Sequence, residues 1–373
     1  MARVPAGKAG SEGTAGHTTP AARRRWFALA LAVLLPLALV MAIGFGSTRI
    51  PAGEVVRIIG VGARRAVGLG LPVAPGLPPD TAETIVLLIR LPRTLLAAVC
   101  GAALSVAGAA FQAVFRNPLA DPYILGASSG GALGAAAAIL LGLPATPLAR
   151  LSLPAAAFVG ALLAVMLAYT LARRAGGGSP VVLLLAGVVV GAWTSSLLSL
   201  LMYFSGRFLA QIVFWLMGGF GGATWRSLAI VSPYMLAGGL VVVTRTKELN
   251  ALTMGDDAAM GMGVDAERSR RLLVAGATLL TAAAVAVSGP IGFVGLIVPH
   301  LVRLVVGADH WRLLPGAAAT GALLMVLADT AARTVLAPSE LPVGIITALL
   351  GGPFFLWLLT RRGYGAWFGG ARR

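Results

Sequence analysis

Residues 289–300 read GPIGFVGLIVPH, inside a chain that is otherwise a succession of apolar runs. Gly289, Pro290, Gly292 and Pro299 bring helix-breaking chemistry to membrane depth, and His300 stands at the end of the stretch. Lipid tolerates irregular backbone only where protein or a water-filled cavity covers it. The stretch therefore implies an interior that opens on a solute path, and argues against a simple anchor.

The composition agrees. Of 373 residues, 58% are hydrophobic and 11% charged, and the mean hydropathy is +0.90. A soluble domain carries about 25% charged residues, so the chain is read as an all-α polytopic membrane protein. At about 20 residues per span, eight to ten helices with short loops consume it and leave no room for a soluble catalytic domain. The single cysteine, Cys100, lies in an apolar run. It excludes an intrachain disulfide and is read as a packing residue.

Apolar runs at 26–46, 84–115, 123–143, 151–172, 181–205, 228–246, 272–288, 293–306, 314–336 and 342–360 predict ten spans within a membrane domain of residues 26–362. Residues 1–25 and 363–373 are expected to be cytoplasmic tails, the first of them disordered. Arg24-Arg25-Trp26-Phe27 resembles a twin-arginine signal. The run behind it is long for a signal peptide and lacks a clean cleavage site, so a retained first helix is expected. Residues 49–83 read as a long extracytoplasmic loop, and 207–227 as a glycine-broken short helix plus loop at one surface. The largest inward loop is 247–271.

The 29 basic residues exceed the 13 acidic ones by 16. Ten spans with both termini inside place 19 of the 29 in the cytoplasm, as the positive-inside rule requires. That accounts for the isoelectric point of about 11.6 without a nucleic-acid partner. The expected location is the cytoplasmic membrane of a prokaryote.

Four groups of residues carry two readings each. Arg90-Leu91-Pro92-Arg93 starts the second span, with Arg333 near the same end of the ninth. These arginines either anchor helices in the headgroup layer or recognise acidic groups of an outside partner, for which the planar fork is suited. Gln112 precedes Arg116-Asn117-Pro118-Leu119-Ala120-Asp121-Pro122. Asn117 or Asp121 either satisfies free amides in an interhelical turn, or Gln112 and Asn117 line a pathway. Residues 255–264 read GDDAAMGMGV. Asp256 and Asp257 suit a helix start, and Met260, Met262 and Val264 form either a plain surface helix or an apolar knob for a partner's groove. Asp329 and Arg333, four apart on one helix face, are either a structural pair or a functional one. His300 is read as packed rather than as a proton relay. No Walker motif, metal-ligand spacing or nucleophile elbow occurs.

Together the segments 88–97, 101–131, 215–225, 255–264, 289–303 and 340–359 resemble the FecCD family, permease subunits of importers for iron-siderophores, haem and vitamin B12. The resemblance runs in order from the second span to the last. It implies a type II importer permease of ten spans that pairs with a second permease subunit, itself or a paralogue. Two cytoplasmic ATP-binding-cassette subunits, which bind Mg-ATP, would dock on Gly255, Asp256, Asp257, Ala258, Met260, Gly261, Gly263 and Val264. An extracytoplasmic substrate-binding lipoprotein would dock at Arg90, Arg93 and Arg333. Pathway or gate residues would be Gln112, Asn117, Ser179, Gly289, Pro290 and Pro299, in a cavity lined partly by the second, third, eighth and tenth spans. The turn 176–180 reads Gly-Gly-Gly-Ser-Pro, so only Ser179 matches the family's hydroxyl-bearing gate. Asp256, Asp257 and Met260 replace the usual glutamates and leucine. The chain itself is expected to catalyse nothing and to hold no cofactor or metal. A ferric siderophore is the expected cargo, with vitamin B12 or another corrinoid and haem as alternatives. An ion-coupled secondary transporter is the rival from another class. It would need carboxylates at mid-membrane depth.

Overall fold

The computed structural model describes residues 19–46, 48–66, 81–143, 149–176 and 179–360. The tails at 1–18 and 361–373, the proline run of the first loop, and Gly177 and Gly178 lie outside the described residues.

The helices are α1 Pro20–Gly44, α2 Ala52–Ala66, a short α3 Thr81–Thr84, α4 Leu91–Val114, α5 Ala127–Leu140, α6 Ala149–Gly176, α7 Pro180–Tyr203, α8 Leu209–Leu216, α9 Trp225–Thr244, α10 Thr246–Thr253, α11 Asp256–Gly261, α12 Ala266–Ser288, α13 Val294–Val306, α14 His310–Thr334 and α15 Val343–Thr360. A wide π turn, Ile85–Arg90, joins α3 to α4. All ten expected spans appear as helices. Seven helices among the described residues are long and apolar enough to cross a bilayer, while α5, α13 and α15 are shorter.

Residues 49–83, expected as loop, contain α2. Val55 and Ile58, three apart on one helical face, are buried against Ile43 and Val86. The opposite face carries Arg57 and Arg64. This is the apolar stripe of an amphipathic helix.

Two helices form the middle of the bundle. Burial covers 78% of the apolar window of the α3–α4 span and 72% of that of α12, against 22% for α1 and α9. Small residues make this possible, because no hydrophobic driving force operates between helices in lipid and close backbone contact must supply the attraction. A side chain at Gly101 would strike the Gly321 carbonyl of α14, and one at Gly130 would strike the Gly160 carbonyl of α6. The outer helices turn large apolar side chains outward, among them Leu29 and Val33 on α1, Val181 and Leu185 on α7, and Leu236 and Leu240 on α9.

Candidate functional site

The short helices α5 and α13 are short because each is completed by irregular backbone, residues 115–126 before α5 and 289–293 before α13. The two broken segments meet. The Tyr123 hydroxyl lies 3.0 Å from the Ile291 carbonyl oxygen, to which it donates, and accepts from the Ile291 amide at 3.0 Å. Asx-type turns hold the first segment. Asn117 Oδ1 accepts from the Leu119 amide at 2.9 Å and Asp121 Oδ1 from the Tyr123 amide at 2.8 Å, the amide-satisfying role open to both residues. One side chain of the first segment thus closes both backbone groups of Ile291 in the second, as burial away from water demands. Tyr123 was not singled out by sequence reading. Its only signal is a hydroxyl-bearing aromatic one residue after Pro122.

The glycines and prolines of 289–300 divide the work. Gly289 turns the chain at φ +65°, and a side chain there would strike the Trp215 carbonyl. Pro290 follows it, and Gly218 is packed so tightly on the Pro290 carbonyl that it too admits no Cβ without a shift. Pro299, buried within α13, cannot donate to the Gly295 carbonyl. Gly108 of α4 presses against that same carbonyl and leaves no room for a side chain. His300 is buried, with its ring edge-on to Phe354 at 6.5 Å between centroids.

Gln112 is buried between α4 and α13. Its Nε2 donates to the Leu296 carbonyl at 3.1 Å, and its Oε1 accepts from Arg303 at 3.1 Å. In this conformation it ties the two helices together. Ser179 caps α7, its Oγ accepting from the Val182 amide at 3.4 Å.

A cavity of about 830 Å³ lies beside the glycine-broken stretch. Its wall takes Trp215, Gly218–Gly222, Arg93, Ser288 and the segment Glu340–Val343. The stretch 207–227 does form a short helix and loop, but it is the main wall of the cavity rather than a bystander. Ile139 of the third span and Leu153 of the fourth contribute, while no residue of α13 does, so the expected contribution of the eighth span is not seen here. A smaller hollow of about 390 Å³ opens between α5 and α7 along Ser128, Ser129, Gly187, Gly191 and Ser195.

At the end of the bundle that carries this cavity, the three arginines turn inward. Arg90, Arg93 and Arg333 are only 5%, 8% and 6% exposed. Arg90 donates to the carbonyls of Ile43 (2.9 Å), Gly44 (3.1 Å) and Thr48 (2.6 Å), and Arg333 to those of Ala42 (3.1 Å) and Phe45 (3.3 Å). Both close the C-terminus of α1, where unpaired carbonyls and the helix dipole favour cations. Arg93 grips Asp329 through Nη2 at 2.9 Å and Glu340 through Nη1 at 2.8 Å. Arg333 Nε lies 3.1 Å from Asp329 Oδ2, which realises the i,i+4 pair. An open arginine fork waiting for an outside carboxylate is therefore not what the structure shows. Desolvated guanidinium groups need acceptors, and the chain supplies its own. The Glu340 side chain, 48% exposed, is the member of the cluster that reaches the surface.

At the opposite end, α10 is tied to α14. Asn250 Nδ2 donates to Asp309 at 2.9 Å, which holds that carboxyl below its usual range, and Asn250 Oδ1 accepts from the His310 amide at 3.0 Å. Next comes α11, six residues beginning after Gly255, whose φ is +109°. It buries Ala259 and leaves Met260 and Met262 59% and 53% exposed. Gly263, at φ +76°, closes it by letting the Val264 amide bond back to the Ala259 carbonyl at 2.9 Å, a Schellman arrangement. That turn folds Val264 against the core, so it is no exposed tip. Asp256 meets Arg270 through both carboxylate oxygens at 2.8 Å. A side chain at Gly261 would meet nothing within 4 Å.

Comparison with known proteins accounts for this architecture. Residues 34–361 match the model of the FecCD transport family. The chain is 48% identical over 284 residues to the cobalamin import system permease protein BtuC of Halobacterium salinarum, covering 76% of this chain and 75% of the relative. It is 46% identical over 285 residues to the hemin transport system permease protein HmuU of Yersinia pestis, covering 76% and 85%. A solved metal-chelate type ABC transporter in an inward-facing conformation superposes with a TM-score of 0.75 at 31% identity, over 90% of this chain and 98% of that one. An all-helical bundle with two broken segments clasped at its middle, matched over most of its length, places this integral membrane chain in the FecCD transport family, whose members are permease subunits and not enzymes.

Proposed function

We propose that this chain is the permease of an importer for a bulky metal chelate, working in the cytoplasmic membrane of a prokaryote with both termini inside. As an ABC importer permease it leaves ATP hydrolysis to a separate subunit. In the proposed assembly, two permease subunits pair, two ATP-binding-cassette subunits holding Mg-ATP contact α11 through Met260, Met262 and the open face at Gly261, and an outside binding protein delivers the cargo near Glu340. The observation that carries the reading is the cavity of about 830 Å³ with its glycine-rich wall. It is large and not ringed by charge, which suits a bulky chelate better than a bare ion.

Ferric siderophores, corrinoids and haem all belong to this class. The activities named for the relatives at 48% and 46% identity, cobalamin and hemin import, support the last two. The ferric siderophore rests on the breadth of the family. Growth of a deletion strain on each chelate as the sole source separates the three. Reconstitution tests the reading as a whole. Uptake into liposomes should require the ATPase subunit and ATP, and uptake by the chain alone down an ion gradient would sink it. The acidic residues on helices do not favour ion coupling, since Asp329, the buried carboxylate, is already held by Arg93 and Arg333.

A further inference from the structure

The six residues of α11 are too few to hold a helix of fixed direction on their own. Their aim must come from what they are fastened to. One side buries Ala259. At the helix start, Asp256 is held by Arg270, whose side chain is 7% exposed and which reaches both carboxylate oxygens at 2.8 Å. Arg116, at 4.0 Å from Asp256, is a looser neighbour.

Arg270 sits in the second turn of α12. That helix runs 23 residues without a proline, a rod of about 34 Å, and most of it is buried in the bundle. Its far end reaches the cavity. The Ser288 carbonyl accepts from the Gly219 amide at 2.7 Å, and Ala286, Val287 and Ser288 belong to the cavity wall. One rigid element therefore has the α11 ion pair at one end and the glycine-rich wall at the other.

We infer that Arg270 is a positioning residue that fastens α11 to α12, and that α12 carries the displacement of α11 to the cavity wall at Gly219. The inference rests on the proposed contact between α11 and the ATPase subunit. Both contacts come from a single nitrogen, Arg270 Nη2, so what the pair fixes is the distance of Asp256 from α12. A lysine would keep the charge on a shorter stem and hold Asp256 less closely.

The test uses the full chain assembled with its ATPase subunit in liposomes, with Gly222→Cys as reporter. A side chain at Gly222 meets nothing within 4 Å, and Cys100, the one native cysteine, is buried. The rate of labelling by a membrane-impermeant maleimide is measured with and without ATP. In the reporter parent, ATP should change that rate. In Arg270→Ala the ATPase subunit should still co-purify, while the ATP-dependent change falls about tenfold, within the span of measured coupling effects. Arg270→Lys should lie between, and Asp256→Arg combined with Arg270→Asp should recover the dependence. Should Arg270→Ala fail to fold, Asp256→Asn cuts the same bond from the half-exposed side. An undiminished ATP response in these variants, or no response in the parent, would overturn the inference. Gly261→Trp separates the two layers. If it leaves ATPase assembly intact, the α11 contact fails and the inference falls with it. If it blocks assembly while Arg270→Ala keeps its ATP response, the role of Arg270 alone is wrong.

Discussion

The two ends of the bundle treat charge in opposite ways. At the Arg93 end, three arginines and Asp329 are buried: Arg93 and Arg333 pair with Asp329, and Arg90 and Arg333 donate to the carbonyls at the end of α1. At the α11 end, a six-residue helix shows methionines to the outside and is held at its start by the Arg270–Asp256 ion pair. The sequence motifs look alike, each a short charged cluster beside a proline or glycine. Their physical roles differ because one cluster has the carbonyls of α1 and the carboxylates of Asp329 and Glu340 within reach, and the other has Arg270 and, more loosely, Arg116. The first end is closed by its own chain, and the second leaves an apolar tip in the open.

Removal of Asp329 attacks that contrast hardest. Asp329→Asn leaves Arg93 and Arg333 side by side, both buried, with one carboxylate fewer between them. Breaking a buried pair from one side costs about 3–5 kcal/mol. Thermal unfolding of the detergent-solubilised chain should show a large drop or no folded protein. A near-native melting temperature would mean that this end is held by apolar packing alone. Asp256→Asn, with a half-exposed partner, should cost far less in the same assay.

The clasp at the middle comes next. Tyr123→Phe removes a hydroxyl that both donates to and accepts from the Ile291 backbone. Leaving the Ile291 amide and carbonyl unmet in the interior should cost about 1–3 kcal/mol. The loss should also appear as faster hydrogen exchange at 289–293 with little change at α11. Equal loosening at both ends would show that the clasp governs the whole bundle rather than its broken segments.

The sequence was most informative where chemistry is local. The ten apolar runs appear as ten helices, since twenty apolar residues in lipid have few alternatives. The breaks at 289–300 are where glycine and proline placed them, and Asn117 and Asp121 form the turns that their side chains favour. Partners distant in the chain were less legible. Nothing at residues 90–93 says that Asp329 and Glu340, more than 230 positions away, will fill the guanidinium of Arg93, so an arginine pair turned inward looks the same as one turned out. The inward turn of Val264 follows from the Schellman closure at Gly263, a backbone event that the pattern of apolar residues does not display. The role of α2 was legible in its periodicity and was hidden by the prolines that follow it.

Glu340 marks the boundary between the two ways of treating charge. It is bonded to Arg93 as closely as Asp329 is, yet it is half exposed, so water screens the pair. Glu340→Gln should shift chain stability by no more than about 1 kcal/mol, against the several expected at Asp329. The same variant removes the one carboxylate of the cluster that reaches the surface, so delivery by an outside protein should change although the melting temperature hardly does. A destabilisation equal to that of Asp329→Asn would place Glu340 within the rigid core of that end.

The smallest effect on the chain is expected at Met260. Its side chain is 59% exposed, so Met260→Ser should alter stability by less than about 0.5 kcal/mol, as surface substitutions do. If α11 is the movable end, its apolar tip contributes only when a partner's groove closes over it. The variant should therefore melt with the parent and yet retain less of the ATPase subunit through purification. Unchanged co-purification together with unchanged melting would leave the exposed methionines without a partner, and the α11 end would then differ from the Arg93 end only in being less buried.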